Sequence, residues 1–290
     1  MEPGAGPPGE VQELAERLQQ GDYLADEQIA MVTFLALRLG KPLLIEGPAG
    51  VGKTELAKTL STVLGMPLIR LQCYEGVDET KVLYEWNYRK QLLRIQAEGQ
   101  SSWEDISHNI FSEPFLLERP VLKALRSSEP SVLLIDEIDK LDMEAEALLL
   151  EVLSDWQITI PEMGSVKATH QPIVVLTSND SRELSEALKR RCLYLYMDYP
   201  DQEREKAIIL RRVPEISETL ADQVVKVVHT IRGLEMRKEP SIAETLDWAR
   251  TLLHLNVGTL DTETLQSTLS VLLKFHSDLE KARQHLRLED

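Results

Sequence analysis

The sequence predicts an α/β protein in which a parallel sheet, flanked by helices on both faces, is followed by a small all-helical domain. Short apolar runs alternate with helix-period segments as far as residue 200, and strand-like runs stop there. Strands buried on both faces appear as continuous apolar runs, and the helices between them supply parallel connections. A chain of 290 residues can form one large and one smaller domain. We expect a flexible lead at 1–20, the sheet domain at 21–200 and the helical domain at 201–290.

The elements of the first domain follow from changes in the spacing of its apolar residues. Helix-period segments span 11–20 and 26–40, and the second ends at Gly40, a typical C-cap. A glycine-rich loop precedes a further helical segment at 55–64. The predicted strands are five short apolar runs, at 42–46, 67–73, 132–136, 173–176 and 192–196.

Two insertions and a helical end complete the predicted organisation. Residues 78–117 carry aromatic side chains in a polar context, and residues 156–172 alternate apolar and polar positions around Met163 and Gly164, as a hairpin does. After residue 200, proline and glycine residues separate successive helix-period segments. These segments lie at 203–213, 220–232, 242–255 and 262–275.

Composition excludes several classes of protein. The net charge is −16, and residues 1–200 hold 19 Lys and Arg against 32 Asp and Glu, so nucleic acid is a poor candidate for the substrate. No apolar run approaches the roughly 18 residues that a membrane span needs, and the start MEPGAGPPGE does not have the pattern of a signal peptide. We therefore expect a cytoplasmic protein without a membrane span. Cys73 and Cys192 occur in unrelated contexts, which supports neither a disulfide nor a cysteine metal site.

The glycine-rich loop satisfies the pattern G-x-x-x-x-G-K-[ST] between a predicted strand and a predicted helix. Such a loop turns backbone N–H groups toward phosphates at a helix N-terminus. Lys53 reaches the outer phosphates, and the Thr54 hydroxyl can bind Mg²⁺. The alternative is a glycine turn that only caps a helix. The motif consists of Gly47, Pro48, Ala49, Gly50, Val51, Gly52, Lys53 and Thr54.

Two carboxylates, Asp136 and Glu137, lie at the end of the buried run at 132–136. The carboxyl ends of parallel strands face the ligand crevice, so both residues are expected beside the glycine loop. Asp136 would hold Mg²⁺ through water, and Glu137 would orient and deprotonate the attacking water. The alternative is that the acidic residues only cap the helix that begins at Glu137.

Three more residues are candidates for contact with the γ-phosphate. Asn179 follows the run at 173–176, where it could position water or sense the phosphate, although asparagine is also common in turns. Arg190 and Arg191 precede the last apolar run, and a guanidinium from a neighbouring subunit can accelerate phosphoryl transfer. Paired surface arginines without such a role are the alternative.

The phrases GPAGVGKT, VLLIDEID, LTSN and LKRRC, in this order and spacing, resemble the AAA+ ATPases. The longer phrases LIEGPAGVGKTELAK, LLEVLSDWQITIPEMG and RRCLYLYMDYP are similar to the MoxR family, especially its branch near the carbon monoxide dehydrogenase maturation factor CoxD. The resemblance covers roughly residues 20–255. It implies an AAA+ P-loop NTPase core with a helical lid.

The resemblance also implies roles for residues and partners. It implies a homo-hexameric ring with ATP and Mg²⁺ at the subunit interfaces, and it makes the two insertions contact surfaces for the pore or a client. Family members assist the assembly of metalloenzymes or protein complexes, often with a partner that has a von Willebrand A domain. Carried over by position, Lys53 and Thr54 are the Walker A pair, Asp136 and Glu137 the Walker B pair, and Asn179 is sensor 1. Arg191 is the favoured arginine finger beside Arg190, and Glu55 joins the nucleotide-binding set.

One departure and two competing functions remain. Many relatives begin a lid helix with a sensor 2 arginine, but this chain has Pro240 and Ser241 there, which leaves Arg237 or Lys238 as substitutes. The favoured function is ATP-driven, chaperone-like remodelling, assembly or cofactor maturation of a client protein. The resemblance implies a metalloenzyme of the molybdenum and copper carbon monoxide dehydrogenase type as that client. The alternative is a nucleotide-gated switch that assembles a partner complex with little turnover. A nucleic-acid remodeller ranks last.

Overall fold

The structure, a computed structural model, describes residues 7–97 and 110–286. Residues 98–109 of the predicted insertion at 78–117 lie outside the described residues. The strands, in chain order, are β1 (Leu43–Glu46), β2 (Leu68–Gln72), β3 (Tyr84–Trp86), β4 (Leu116–Glu118), β5 (Val132–Asp136), β6 (Gln157–Ile160), β7 (Gly164–Lys167), β8 (Ile173–Ser178) and β9 (Leu193–Tyr196).

A five-stranded sheet in the order β2-β5-β8-β1-β9 forms the centre of the first unit, and all its neighbouring strands are parallel. The predicted parallel sheet is therefore confirmed. Every residue of β1 and β5 is buried, as continuous apolar runs require when helices cover both faces of a sheet. Parallel pairing brings the carboxyl ends of β1, β5 and β8 to the same edge of the sheet, which is where the polar candidate residues follow.

The helices of this unit flank the sheet, and the first of them contains the predicted helix-period segment at 11–20 and begins within the expected lead at 1–20. Residues 7–20 form a helix, because Val11, Leu14 and Leu18 share one face and are buried. The next helix ends at Gly40, whose φ of 61° confirms the predicted C-cap. The helices are α1 (Pro7–Gln20), α2 (Glu27–Leu39), α3 (Lys53–Leu64), α4 (Glu79–Val82), α5 (Tyr88–Ala97), α6 (Pro120–Leu125), α7 (Met143–Asp155) and α8 (Glu186–Lys189).

Two small antiparallel sheets form in the predicted insertions. In the first insertion β3 pairs with β4, and Trp86 packs edge-on against Phe111 with ring centroids 5.3 Å apart. In the second, β6 pairs with β7 from Gln157↔Lys167 to Ile160↔Gly164, which confirms the predicted hairpin. Gly164 has a φ of 83°, so the strand begins in a conformation that favours glycine.

The second compact unit contains Gly47–Gly52 and the chain from Met197 onward, and its core is all-helical. Ser241 begins one helix with a capping box, and the buried Trp248 of that helix donates a 2.9 Å hydrogen bond to Thr268. The last helix was not predicted, because the preceding segment was expected to continue to Phe275, which is instead the N-cap of a separate helix. The helices are α9 (Gln202–Arg212), α10 (Glu218–Arg232), α11 (Ile242–His254), α12 (Thr262–Leu272) and α13 (His276–His285). Across residues 7–97 and 110–286, we find no helix with the length and apolar character needed to cross a membrane.

Candidate functional site

The glycine loop joins the end of β1 to the start of α3. Gly47, Gly50 and Gly52 have φ angles of 147°, 77° and 100°, which side-chain-bearing residues rarely adopt. A Cβ added at Gly47 would lie 1.9 Å from the carbonyl oxygen of Met197, and one added at Gly50 would lie 2.4 Å from the Cβ of Ser241. Backbone conformation and close packing therefore both require glycine, as expected for a loop whose N–H groups turn toward an anion.

Lys53 is the first residue of α3 and is 6% exposed. Its ammonium donates a 2.9 Å hydrogen bond to Oδ1 of Asn179, the residue that follows β8. Burial lowers the pKa of Lys53 to about 8, although the charges of Asp139 and Asp136 partly oppose this effect. The structure thus brings together two of the predicted residues, a cation and a neutral amide, at the start of a helix.

Asp136 ends β5 and is the centre of a hydrogen-bonded group. Its Oδ1 accepts hydrogen bonds from the hydroxyls of Thr54, at 2.8 Å, and Thr177, at 2.5 Å. Its Oδ2 forms an ion pair with the guanidinium of Arg70. A carboxylate beside a threonine hydroxyl fits Mg²⁺, which prefers oxygen ligands and binds proteins through one or two carboxylates together with substrate phosphates. Thr54 and Asp136 are the residues that would hold the ion.

Glu137 follows β5 in a left-handed conformation with φ 58°. Its N–H donates a 3.0 Å hydrogen bond to the Thr177 hydroxyl, which ties the backbone of Glu137 to β8. Among the described residues, its side chain makes no capping hydrogen bond with the short 3₁₀ helix Ile138–Lys140 that it precedes. Helix capping therefore does not account for the glutamate, and a strained backbone at such a position is common in functional sites.

Arg190 and Arg191 lie between α8 and β9, at the amino ends of the strands. The glycine loop follows the carboxyl end of β1. Residue Leu193, which begins β9, pairs with Leu43 at the start of β1. The four residues of β1 span about 13 Å, so the arginines and the glycine loop lie at opposite strand ends. The structure therefore does not bring them to Lys53 and Asp136 of the same chain.

The two arginines differ in what their side chains contact. The Arg191 guanidinium donates hydrogen bonds to the carbonyl of Ala187, at 2.8 Å, and to the hydroxyl of Ser154. The Arg190 side chain is 80% exposed and forms a 2.7 Å ion pair with Glu186, one turn earlier. The Arg190 side chain is thus more exposed to solvent, whereas the sequence favoured Arg191 as the arginine finger.

Sequence reasoning missed three residues that the structure adds to the site: Arg70, Asp139 and Thr177. Arg70 lies on β2, where exposed polar residues alternate with buried apolar ones, a pattern that by itself indicates only a solvated face. Asp139 lies in the short helix that follows Glu137, and its sequence context indicated no role in the site. Thr177 was visible within the phrase LTSN, but its two hydrogen bonds depend on the pairing of β8 with β5.

The substitutes considered for sensor 2 are engaged within the helical unit. The Arg237 guanidinium lies over the ring of Phe275, 4.2 Å from its centroid, and the Lys238 ammonium is 2.9 Å from a carboxylate oxygen of Glu244. Ser241 instead begins α11 beside Gly50, as the short Cβ distance at that glycine indicates. Sensor 2 stays unassigned.

The strand order, the glycine loop between β1 and α3, and the hydrogen bonds that join Thr54 to Asp136 and Lys53 to Asn179 define a P-loop nucleotide-binding fold. The chain belongs to the AAA domain family (dynein-related subfamily), which it matches over residues 42–192, more than half of its length.

The chain is also similar to uncharacterized bacterial proteins and to a solved structure. An uncharacterized protein of Staphylococcus aureus (strain bovine RF122 / ET3-1) is 32% identical over 224 residues, which cover 75% of this chain and 77% of the relative. A second uncharacterized protein, from strain USA300, is 31% identical over the same length. Among solved structures, a mutant of RuvB from Thermotoga maritima has a TM-score of 0.52 at 21% identity, covering 90% of this chain and 70% of the other. At this identity the likeness shows a shared fold alone.

Proposed function

We propose that this protein is a MoxR-type AAA+ ATPase that hydrolyses ATP, with Mg²⁺, to remodel or assemble a client protein. One observation carries the proposal most directly. The Thr54 hydroxyl bonds to Asp136, and the Lys53 ammonium bonds to Asn179, so residues from α3, β5 and β8 meet at one point. Phosphoryl transfer requires mainly positioning and charge neutralisation, and this group contains the residue types for both.

Each residue then has a chemical role. The glycine loop and Lys53 bind the phosphates, and Asn179 orients the water or the γ-phosphate. Glu137 accepts a proton from water as the water oxygen forms its bond to the γ-phosphorus, and the bond to the bridging oxygen of ADP breaks. Bound Mg²⁺, held by Thr54 and Asp136, would supply neutralisation of the phosphate charges. The products are ADP and inorganic phosphate.

The arginine pair supports a homo-oligomeric ring, which we propose to be a hexamer. A guanidinium at the amino ends of the strands cannot reach a nucleotide held at their carboxyl ends in the same chain. Arg191, or the more exposed Arg190, would therefore act on the nucleotide of a neighbouring subunit. We predict that Arg191→Ala retains ATP binding and loses turnover; normal turnover would assign the role to Arg190 or to neither.

The identity of the client is the most specific part of the proposal. The phrases shared with the CoxD branch of MoxR support chaperone-like maturation of a metalloenzyme of the carbon monoxide dehydrogenase type, with a von Willebrand A domain protein as partner. The insertion around α5 supports a contact surface for such a client, because Tyr88, Leu92 and Leu93 are exposed on that helix.

Steady-state ATP hydrolysis, measured over a series of protein concentrations with native mass determination, tests the central proposal. The Glu137→Gln variant is the critical comparison, and Glu129→Gln, in the exposed loop between α6 and β5, is a matched control with the same change of charge. Turnover that rises with oligomer formation, persists in Glu129→Gln and vanishes in Glu137→Gln supports a ring ATPase. Tight ATP binding without turnover would favour the nucleotide-gated switch.

A further inference from the structure

The segment that follows Asn179 is anchored by two buried carboxylates. Residues 179–185 connect β8 to α8, and so they link the amide beside Lys53 to the helix that precedes the arginine pair. Asp139 holds the first end of this segment and Glu146 the second. The two carboxylates are 3% and 2% exposed, respectively.

Asp139 accepts three hydrogen bonds from the start of the segment. The backbone N–H groups of Asn179 and Ser181 donate to it at 3.3 Å and 3.1 Å, and the Ser181 hydroxyl donates at 2.5 Å. Burial raises the pKa of Asp139, but the hydrogen bonds from Ser181 and Asn179 outweigh it and hold the pKa below its ordinary value. The residue is therefore an ionised acceptor whose geometry determines where the backbone of Asn179 lies.

Asp139 also acts on the other partner of Asn179. Of the carboxylates that oppose the burial effect on the pKa of Lys53, Asp139 contributes the largest attraction, ahead of Asp136. One buried charge thus contacts the backbone of Asn179 and stabilises the protonated form of the lysine to which the Asn179 side chain bonds.

Glu146 provides a comparison at the far end of the segment. It accepts a 2.6 Å hydrogen bond from the guanidinium of Arg182 and a 3.0 Å hydrogen bond from the N–H of Ser185, which caps α8. These contacts resemble those of Asp139 in burial and charge but involve neither Asn179 nor Lys53.

We propose that Asp139 is a positioning residue that places the Asn179 amide for the γ-phosphate and thereby sets the preference of the site for ATP over ADP. The proposal rests on the proposed function, because it assumes that Asn179 contacts the γ-phosphate. An Asp139→Asn side chain keeps one carbonyl acceptor and adds an NH₂ donor, so it cannot accept from all three donors of the segment. The Asn179 amide then loses its fixed position. ADP has no γ-phosphate for this amide to contact, so only the affinity for the triphosphate should fall.

Equilibrium binding of ADP and of a non-hydrolysable ATP analogue, both with Mg²⁺, tests the proposal. We expect Asp139→Asn to weaken binding of the analogue about fivefold to tenfold, the size of one ordinary hydrogen bond, and to leave ADP binding within about twofold. Asn179→Ala should give the same pattern. Glu146→Gln should lower the melting temperature about as much as Asp139→Asn does. It should nevertheless leave the ratio of the two affinities unchanged.

Other results would overturn the proposal in distinguishable ways. If Asn179→Ala reduces the ATP preference and Asp139→Asn does not, Asp139 has no positioning role. Equal changes of the ratio of ATP-analogue to ADP affinity in Asp139→Asn and Glu146→Gln would mean that both carboxylates only stabilise the fold. Ser181→Ala removes only one of the three donors, so it provides the test if Asp139→Asn fails to fold. An unchanged ratio in Ser181→Ala would also count against the proposal. A wild-type chain that binds neither nucleotide would contradict the proposed function itself.

Discussion

Each of the two units contains a buried carboxylate that binds an arginine and at least one threonine hydroxyl, but the two clusters differ in their access to solvent. Glu205 in the helical unit is fully buried, and its partner Arg232 is 8% exposed. Asp136 in the sheet unit is 4% exposed, yet its partner Arg70 is 45% exposed. The same chemical groups thus form one closed cluster and one that opens to solvent.

The closed cluster has every acceptor of its carboxylate engaged. Arg232 donates two hydrogen bonds to Glu205, at 2.6 Å and 2.9 Å, and Thr245 and His229 each contact it at 2.9 Å. Arg232 also bonds to the carbonyl of Pro240, which joins α10 to the start of α11. A bidentate, buried pair of this kind is suited to holding helices in register.

The open cluster has a partner that can exchange. Arg70 reaches Asp136 through one terminal nitrogen and lies on the edge strand β2. Its exposed guanidinium can return to water at little cost, whereas removing a buried partner leaves an uncompensated charge. The exposure of the cationic partner therefore distinguishes the two carboxylates. Glu205, whose arginine is buried, has a structural role, whereas Asp136, whose arginine is exposed, is available to a ligand.

The largest effect is expected at the closed cluster. Glu205→Ala leaves Arg232 buried without its partner, which should lower the free energy of unfolding by about 3–5 kcal/mol. Urea unfolding measures this change, with Glu235→Ala at an exposed position as the control, expected within about 0.5 kcal/mol. A loss below about 1 kcal/mol for Glu205→Ala would remove the distinction between the clusters.

At the open cluster the same type of change should affect chemistry more than stability. Asp136→Asn leaves Arg70 exposed to water, so the free energy of unfolding should fall by only about 1 kcal/mol. Turnover of ATP should fall by about 10²-fold or more, because the residue that would hold Mg²⁺ loses its charge. Urea unfolding and steady-state hydrolysis of the same preparation give both values. A stability loss as large as that of Glu205→Ala would contradict the comparison.

The lysine beside the open cluster should make nucleotide binding depend on pH. Its pKa is lowered to about 8, chiefly by burial, so Lys53 loses its proton as the pH rises through that value. Phosphates attract the charged form, and ATP affinity should therefore fall above about pH 8, by up to tenfold per pH unit. Equilibrium binding from about pH 7 to 9.5 measures the effect. Lys53→Arg should remove it, since the guanidinium stays charged; the same pH dependence in that variant would locate the titrating group elsewhere.

The smallest effect is expected from the exchangeable partner. Arg70→Gln removes a cation that competes with Mg²⁺ for Asp136, so nucleotide binding should reach half-saturation at about twofold to fivefold lower Mg²⁺. Arg119→Gln is the matched control, because Arg119 forms a half-exposed ion pair with Glu85 in the first insertion. An equal shift of the half-saturating Mg²⁺ concentration in both variants would mean that the effect comes from net charge alone. No shift would show that Arg70 does not compete with Mg²⁺.

Part of the site was predictable because its signals are local in sequence. The glycine pattern before Lys53 and the two acids after the buried run at 132–136 are each contained in a few residues, and the parallel sheet brings them to one edge. Arg70 and Asp139 gave no such signal. An arginine on an alternating strand and an acid at a helix start are common on solvated surfaces, and their partners lie 66 and 40 residues away, respectively.

The sequence by itself determined the parallel sheet, its helical continuation and the residue types at the nucleotide site, because hydrophobic periodicity and a glycine motif act over short stretches of chain. Only the tertiary structure decided which of the two carboxylate clusters is closed to solvent and which is open to it. The Glu205 cluster joins residues from α9, α10 and α11, and the Asp136 cluster joins residues from β2, α3, β5 and β8. Burial and hydrogen-bond partners are properties of packed elements, so they arise only when distant segments meet.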